Sequence, residues 1–123
     1  MTRRISGSAD EIRALAPDAL ESWRFIREQV LERGVADQRL KELCFRSLAG
    51  DGSADRAALG ERERAALEWT EAIAYDSDRA TDELWARLHR LFTEAELVDL
   101  SCAIGFELGQ QHWRRTVGLP ARD

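Results

Sequence analysis

Apolar residues recur along most of this chain in steps of three and four, the period of a helix with one buried face. Leu20, Trp23, Ile26, Val30 and Leu31, with Phe25 nearby, mark a first helix over about 18–33. Pro17 suits its start, because the missing N–H would be unpaired there anyway, and Gly34 stops it. A second helix is expected over 37–48, with Asp37 as N-cap and Leu40, Leu43, Cys44 and Leu48 facing one way. The clearest break is AGDGSAD at 49–55. A third helix over 61–75 carries Ala65, Leu67, Trp69, Ala72 and Ile73 and ends at Asp76-Ser77-Asp78. Thr81 announces a fourth over 82–91, with Leu84, Trp85, Leu88 and Phe92. Thr93 followed by Glu96 is a capping box, each side chain accepting from the other residue's backbone N–H. The fifth helix then runs to about Val117, ended by Gly118 and Pro120. Residues 1–16 read as a loose N-terminal arm or a short helical turn. No strand-type alternation and no repeat are present, so the expectation is all-α: one domain over 1–123, about five helices in an antiparallel array with short connections.

Composition agrees with that class. The chain is 44% hydrophobic and 33% charged, with eight glycines and two prolines, the balance of a folded globular domain rich in helix formers. Four tryptophans fall one each on helices one, three, four and five; they are expected to fill the core, or else to mark a subunit contact. On the fifth helix Ser101, Gly105 and Gly109 repeat every fourth residue. Glycine costs about 1 kcal/mol against alanine inside a helix, so the repeat suggests close packing against another helix, of this chain or of a second copy.

The formal net charge is −5, with basic residues dense only at Arg3-Arg4 and Arg114-Arg115, so nucleic acid is not an expected partner. No apolar run reaches the length of a membrane span and the first residues lack a signal-type apolar stretch, so neither membrane nor secretion is expected. Cys44 and Cys102 form no CxxC and no zinc-type spacing, so the expected compartment is the reducing cytoplasm.

The order of parts over LGERERAALEWTEAIAYDSDRATDELWARLHRLFTEAELVDLSCAIGFELGQQHWRRTVGLP, 59–120, resembles the C-terminal part of the carboxymuconolactone decarboxylase/alkylhydroperoxidase D family. PDALESWRFIREQVLERGVADQRLKEL, 17–43, is similar to the segment preceding that family's active site. The two cover roughly four-fifths of the chain. The departure carries more information than the match. In redox-active members a segment like LKEL runs into a helix with C-x-x-C and a nearby His, whereas here it meets CFRSLAGDGSADRAALGERER, as though about one helix were missing. At the family's spacing from Glu42 stand Ala54 and Ala57 instead of two thiols. Dithiol exchange needs a thiolate and a resolving partner, so the resemblance implies a kept scaffold without that chemistry.

Three residues are candidates for a site. Glu42 matches the position of the family's proton-relay Glu; its ordinary reading is a surface carboxylate beside Lys41 or paired with Arg46 one turn on. Cys44, like Cys102, is a candidate thiol whose ordinary reading is a small buried hydrophobe. His112 could act as a general acid or base, as in the cofactor-free decarboxylase branch, or simply complement the negative end of its helix. His89 reads as a solvated residue. No metal or cofactor is expected. Three functions follow in order: a divergent, self-associating scaffold that binds a small organic ligand or a partner protein; a cofactor-free acid/base enzyme acting on a small carboxylated or lactone-like substrate through Glu42 and His112; and residual alkylhydroperoxidase activity through Cys44 or Cys102.

Overall fold

The computed structural model describes residues 5–51 and 56–123. Among them are six α-helices and no strand: α1 Ala9–Arg13, α2 Pro17–Ile26, α3 Gln38–Leu48, α4 Glu61–Tyr75, α5 Asp82–Leu91 and α6 Glu94–Thr116. The all-α class and the five longer helices stand as the periodicity predicts. No helix among the described residues is long and apolar enough to cross a membrane.

The boundaries follow local chemistry. Asp37 accepts from the Arg39 N–H at 2.9 Å, and Thr81 accepts from Leu84 at 3.2 Å. Thr93 and Glu96 close both halves of their capping box, at 2.9 and 3.1 Å. The described part of the arm, residues 5–16, holds more regular structure than its composition suggests. Ser8 and Glu11 form a second capping box, and α1 buries Ile12 and Arg13. The predicted break begins at Ala49, where α3 ends, with Gly50 at φ +87°; its remainder, residues 52–55 with Ala54, lies outside the described residues.

The first long helix departs from expectation in its second half. After Ile26 it widens into a π-helical turn, Arg27–Leu31, closed by the Glu32 N–H on the Arg27 carbonyl at 2.9 Å. That turn ends against a buried ion pair. The Lys41 ammonium, fully buried, sits 2.8 Å from Asp99 Oδ2 and donates to the Val30 and Arg33 carbonyls at 2.9 and 2.6 Å. Asp99 also accepts from the Ala36 N–H at 2.8 Å. One cation thus satisfies helix-end carbonyls that would otherwise be orphaned, and one carboxylate from α6 neutralises it. Gly34 completes the joint: its φ is +127°, and a Cβ there would lie 2.4 Å from Asp99 Oδ1.

At the centre, α4 touches α3, α5 and α6. Ala65 and Ala66, both fully buried, let the neighbours approach, and Leu40, Cys44, Leu88, Leu100 and Ile104 fill the space between. Trp69 alone of the four tryptophans belongs to this core, with Trp85 edge-on to it at 4.7 Å and over a third exposed. A second cluster joins Leu31, Phe45 and Ala103, flanked by Trp23 and Ile26. The glycines of α6 pack on nothing within the described chain: a Cβ at Gly105 or Gly109 would meet no atom within 4 Å.

Candidate functional site

Helical spacing places Glu42 and Phe45 together on α3, and Glu107, Gln110, Gln111 and Arg114 together on α6. The two groups face each other across a cleft that continues toward Arg13, Trp23 and the π-turn, enclosing a cavity of about 190 Å³. The segment after α6 forms its remaining wall. Gly118, at φ +89°, reverses the chain, and the Leu119 N–H returns to the Arg114 carbonyl at 2.8 Å. Arg114 Nε then donates to the Pro120 carbonyl at 2.8 Å while its terminal nitrogen pairs with Asp123 at 2.6 Å.

This folding back delivers Arg122 into the cleft. Its guanidinium donates to Glu42 Oε2 at 3.0 Å, lies 3.4 Å from Glu107 Oε2, and sits 5.7 Å from the centre of the Phe45 ring. Glu42 therefore finds its partner 80 positions away rather than in Arg46 on its own helix. Glu107 is the most constrained group here. It is 7% exposed, and burial raises its pKa, reinforced by Glu42 and opposed by the Gln111 hydrogen bond, Arg122 and Arg114. Gln111, wholly buried, holds it in place: one Nε2 donates to Glu107 at 2.7 Å and to the Phe45 carbonyl at 3.0 Å. The Gln111 Oε1 has no donor among the described residues.

Arg13 closes the far side. Its guanidinium lies between Trp23 and Trp113, 4.2 and 4.8 Å from the ring centres, and donates to Asp10 and Gln110, each at 2.9 Å. Such stacking is worth about 0.5–2 kcal/mol per ring. Burial lowers its pKa, against the pull of Asp10. Two of the four tryptophans thus flank an arginine at the cavity instead of filling the core.

Of the residues singled out from sequence, only Glu42 borders this cavity. Cys44 lies on another face of α3, in the core against α4, with its Sγ 3.8 Å from the Ala66 carbonyl. Burial pushes its thiol up to about 11, only partly countered by Thr70. Cys102 is exposed on α6, and His112 is exposed too, outside the lining of this cavity. His89 stacks beside Trp85 at 5.4 Å, with Nδ1 3.0 Å from the Trp85 carbonyl. Glu42, Cys44 and His112 do not converge.

Glu107, Gln111 and Arg122 were missed by the sequence reading. A signal for the first two exists: they continue the inward row of Leu100 and Ile104 at steps of three and four, and charged or amide groups on such a face need a built environment. Nothing in the sequence pattern marks Arg122. No family model, curated protein or solved structure matches this chain.

Proposed function

We propose that this protein is a divergent relative of the carboxymuconolactone decarboxylase/alkylhydroperoxidase D family that binds a small charged organic ligand and self-associates, without dithiol chemistry. The observation that carries the reading is the cleft between α3 and α6. There Glu42, Glu107 and Arg122 stand together at the edge of a 190 Å³ cavity, while the nearest cysteine in sequence, Cys44, is turned into the core. The lining is mostly charged, with Trp23, Leu31 and Phe45 as its main apolar part, and convergent charged groups with a shifted pKa in a cleft mark a candidate binding site.

Self-association draws on the outer face of α6. Ala95, Val98, Cys102, Gly105, Gly109 and His112 are exposed there and succeed one another in alternating steps of three and four, with no charged residue among them. A helix ordinarily turns charge toward water, and an uncharged seam of small residues suits a second helix. The first turn of α6 is acidic, Glu94 and Glu96, and its last is basic, Arg114 and Arg115, so an antiparallel second copy would meet complementary charge at both ends.

A second reading, an acid/base enzyme, is favoured by the raised proton affinity of Glu107 beside Glu42. It keeps one carboxylate of the sequence-based assignment and replaces His112 by Glu107. Residual peroxide reduction through Cys44 or Cys102 ranks last, since one thiol is buried and the other stands apart from the cleft.

Light scattering on the purified chain, with a Gly105→Glu variant, tests the assembly. An oligomer that the variant reduces to monomers is expected; a monomeric parent at tens of micromolar counts against it. A panel of charged small molecules, followed through Trp23 fluorescence and by turnover, tests the cavity. Binding without turnover supports the first reading, and turnover lost in both Glu42→Gln and Glu107→Gln supports the second.

A further inference from the structure

We infer that the segment Pro120–Asp123 occupies the cleft as a stand-in for its ligand, and that the ligand is a small dipolar molecule carrying a guanidinium or ammonium group and a carboxylate. The inference rests on the ligand-binding reading above and specifies its chemistry. Two charged features of one short segment are held by two separate receptors. The cation of Arg122 lies on Glu42 and Glu107 over the Phe45 ring, and the carboxylate of Asp123 lies on Arg114 at 2.6 Å. Both receptors belong to packed helices.

Two of the three receiving groups, Glu107 and Arg114, are built into the fold rather than carried on its surface. Glu107 is more than nine-tenths buried and fixed by Gln111, which is itself wholly buried and anchored to the α3 backbone. Arg114 has a side chain only 12% exposed, whereas the Asp123 side chain is 96% exposed. The occupant is thus the more exposed member of the pairs with Glu107 and Arg114, while Glu42, 43% exposed against 30% for Arg122, is the outer of the receiving groups. An exposed ion pair contributes about 0–1 kcal/mol, so the Asp123 contact does little to hold the segment down. The adjoining cavity gives a displacing molecule room to enter beside Arg122 before that side chain leaves. A free guanidino or amino acid would present the same two charges on one small frame.

The test uses the full chain and L-arginine, with agmatine as the analogue lacking the carboxylate. Calorimetry should show weak L-arginine binding to the parent and binding at least about tenfold tighter to Arg122→Gln, since the internal competitor is removed. Adding Glu107→Gln to that variant should reverse the gain, and agmatine should bind Arg122→Gln several-fold more weakly than L-arginine. Binding to Arg122→Gln no tighter than to the parent overturns the inference, and equal binding of agmatine overturns its carboxylate half. If Arg122→Gln fails to fold, the parent decides: excess L-arginine must move the Arg122 and Asp123 amide resonances toward random-coil positions, and unmoved resonances overturn the inference. Failure with L-arginine while other charged molecules still perturb Trp23 defeats this inference alone. If none perturbs Trp23, the ligand-binding reading falls with it.

Discussion

Replacing Asp99 by Ala should be among the most destabilising single changes in this protein. The Lys41 ammonium has no exposed surface and three oxygen partners, of which Asp99 alone carries charge. Removing that carboxylate leaves a buried cation facing two neutral carbonyls, and breaking a buried pair in this way costs about 3–5 kcal/mol. The Ala36 N–H loses its acceptor as well, adding about 1 kcal/mol if water does not replace it. Against a typical domain stability of about 5–15 kcal/mol, the variant should lose about a quarter or more of the total. Lys41→Met should cost less. It removes the charge that is expensive to bury, and the Asp99 it leaves behind keeps the Ala36 hydrogen bond and a side chain 14% exposed to water. In the double variant Asp99→Ala should add little to Lys41→Met, giving a coupling of about 2 kcal/mol or more. Urea unfolding followed by tryptophan fluorescence measures all four proteins. A loss below about 1 kcal/mol for Asp99→Ala, or additive single effects, would refute the assignment of this pair as the joint between the π-turn, α3 and α6.

Two further outcomes are expected. With its pKa near 11, Cys44 is ionised in only about one molecule in ten thousand at pH 7, so a disulfide reagent should titrate one thiol, Cys102, in the native chain and two in denaturant; two rapid native equivalents would count against the buried placement. Glu107 binds its proton more tightly folded than unfolded, so it contributes stability below the ordinary glutamate range that fades as pH rises from there through its raised folded pKa. Glu107→Gln should flatten that fall in a pH series of melts, and an unchanged slope would show that the group is not held as described.

The helices were legible because their signals are local. The capping boxes and the three-and-four spacing around Leu84, Leu88 and Leu97 depend on neighbours within a turn or two. The π-turn was not legible, since its cause is tertiary: Val30 and Arg33 turn their carbonyls to a lysine on the next helix. Lys41 itself reads as a surface residue in sequence, and only the distant Asp99 makes its burial tolerable. The site was half legible for the same reason. Glu42 was found through a resemblance, but the groups that give it a setting come from α6 and from the segment beyond Gly118, and no periodicity connects those to α3. Cys44 shows the converse: its position on an apolar face already pointed to the core, where it lies.

Helix α6 explains how one short chain can hold both proposed properties. Its inward row of Leu97, Leu100 and Ile104 anchors it to α3 and α4. The next face carries Glu107, Gln110 and Arg114 to the cleft, and the opposite side presents the uncharged seam through Gly105 and Gly109. The Gly105 seam makes no contact with the cleft, so a substitution on one face leaves the side chains of the other in place. Changes at Gly105 should therefore alter assembly and spare ligand binding, while Glu107→Gln should do the reverse. If both variants instead changed both properties, the cleft would have to be completed by the second copy, and the ligand site would belong to the assembly rather than to the single chain.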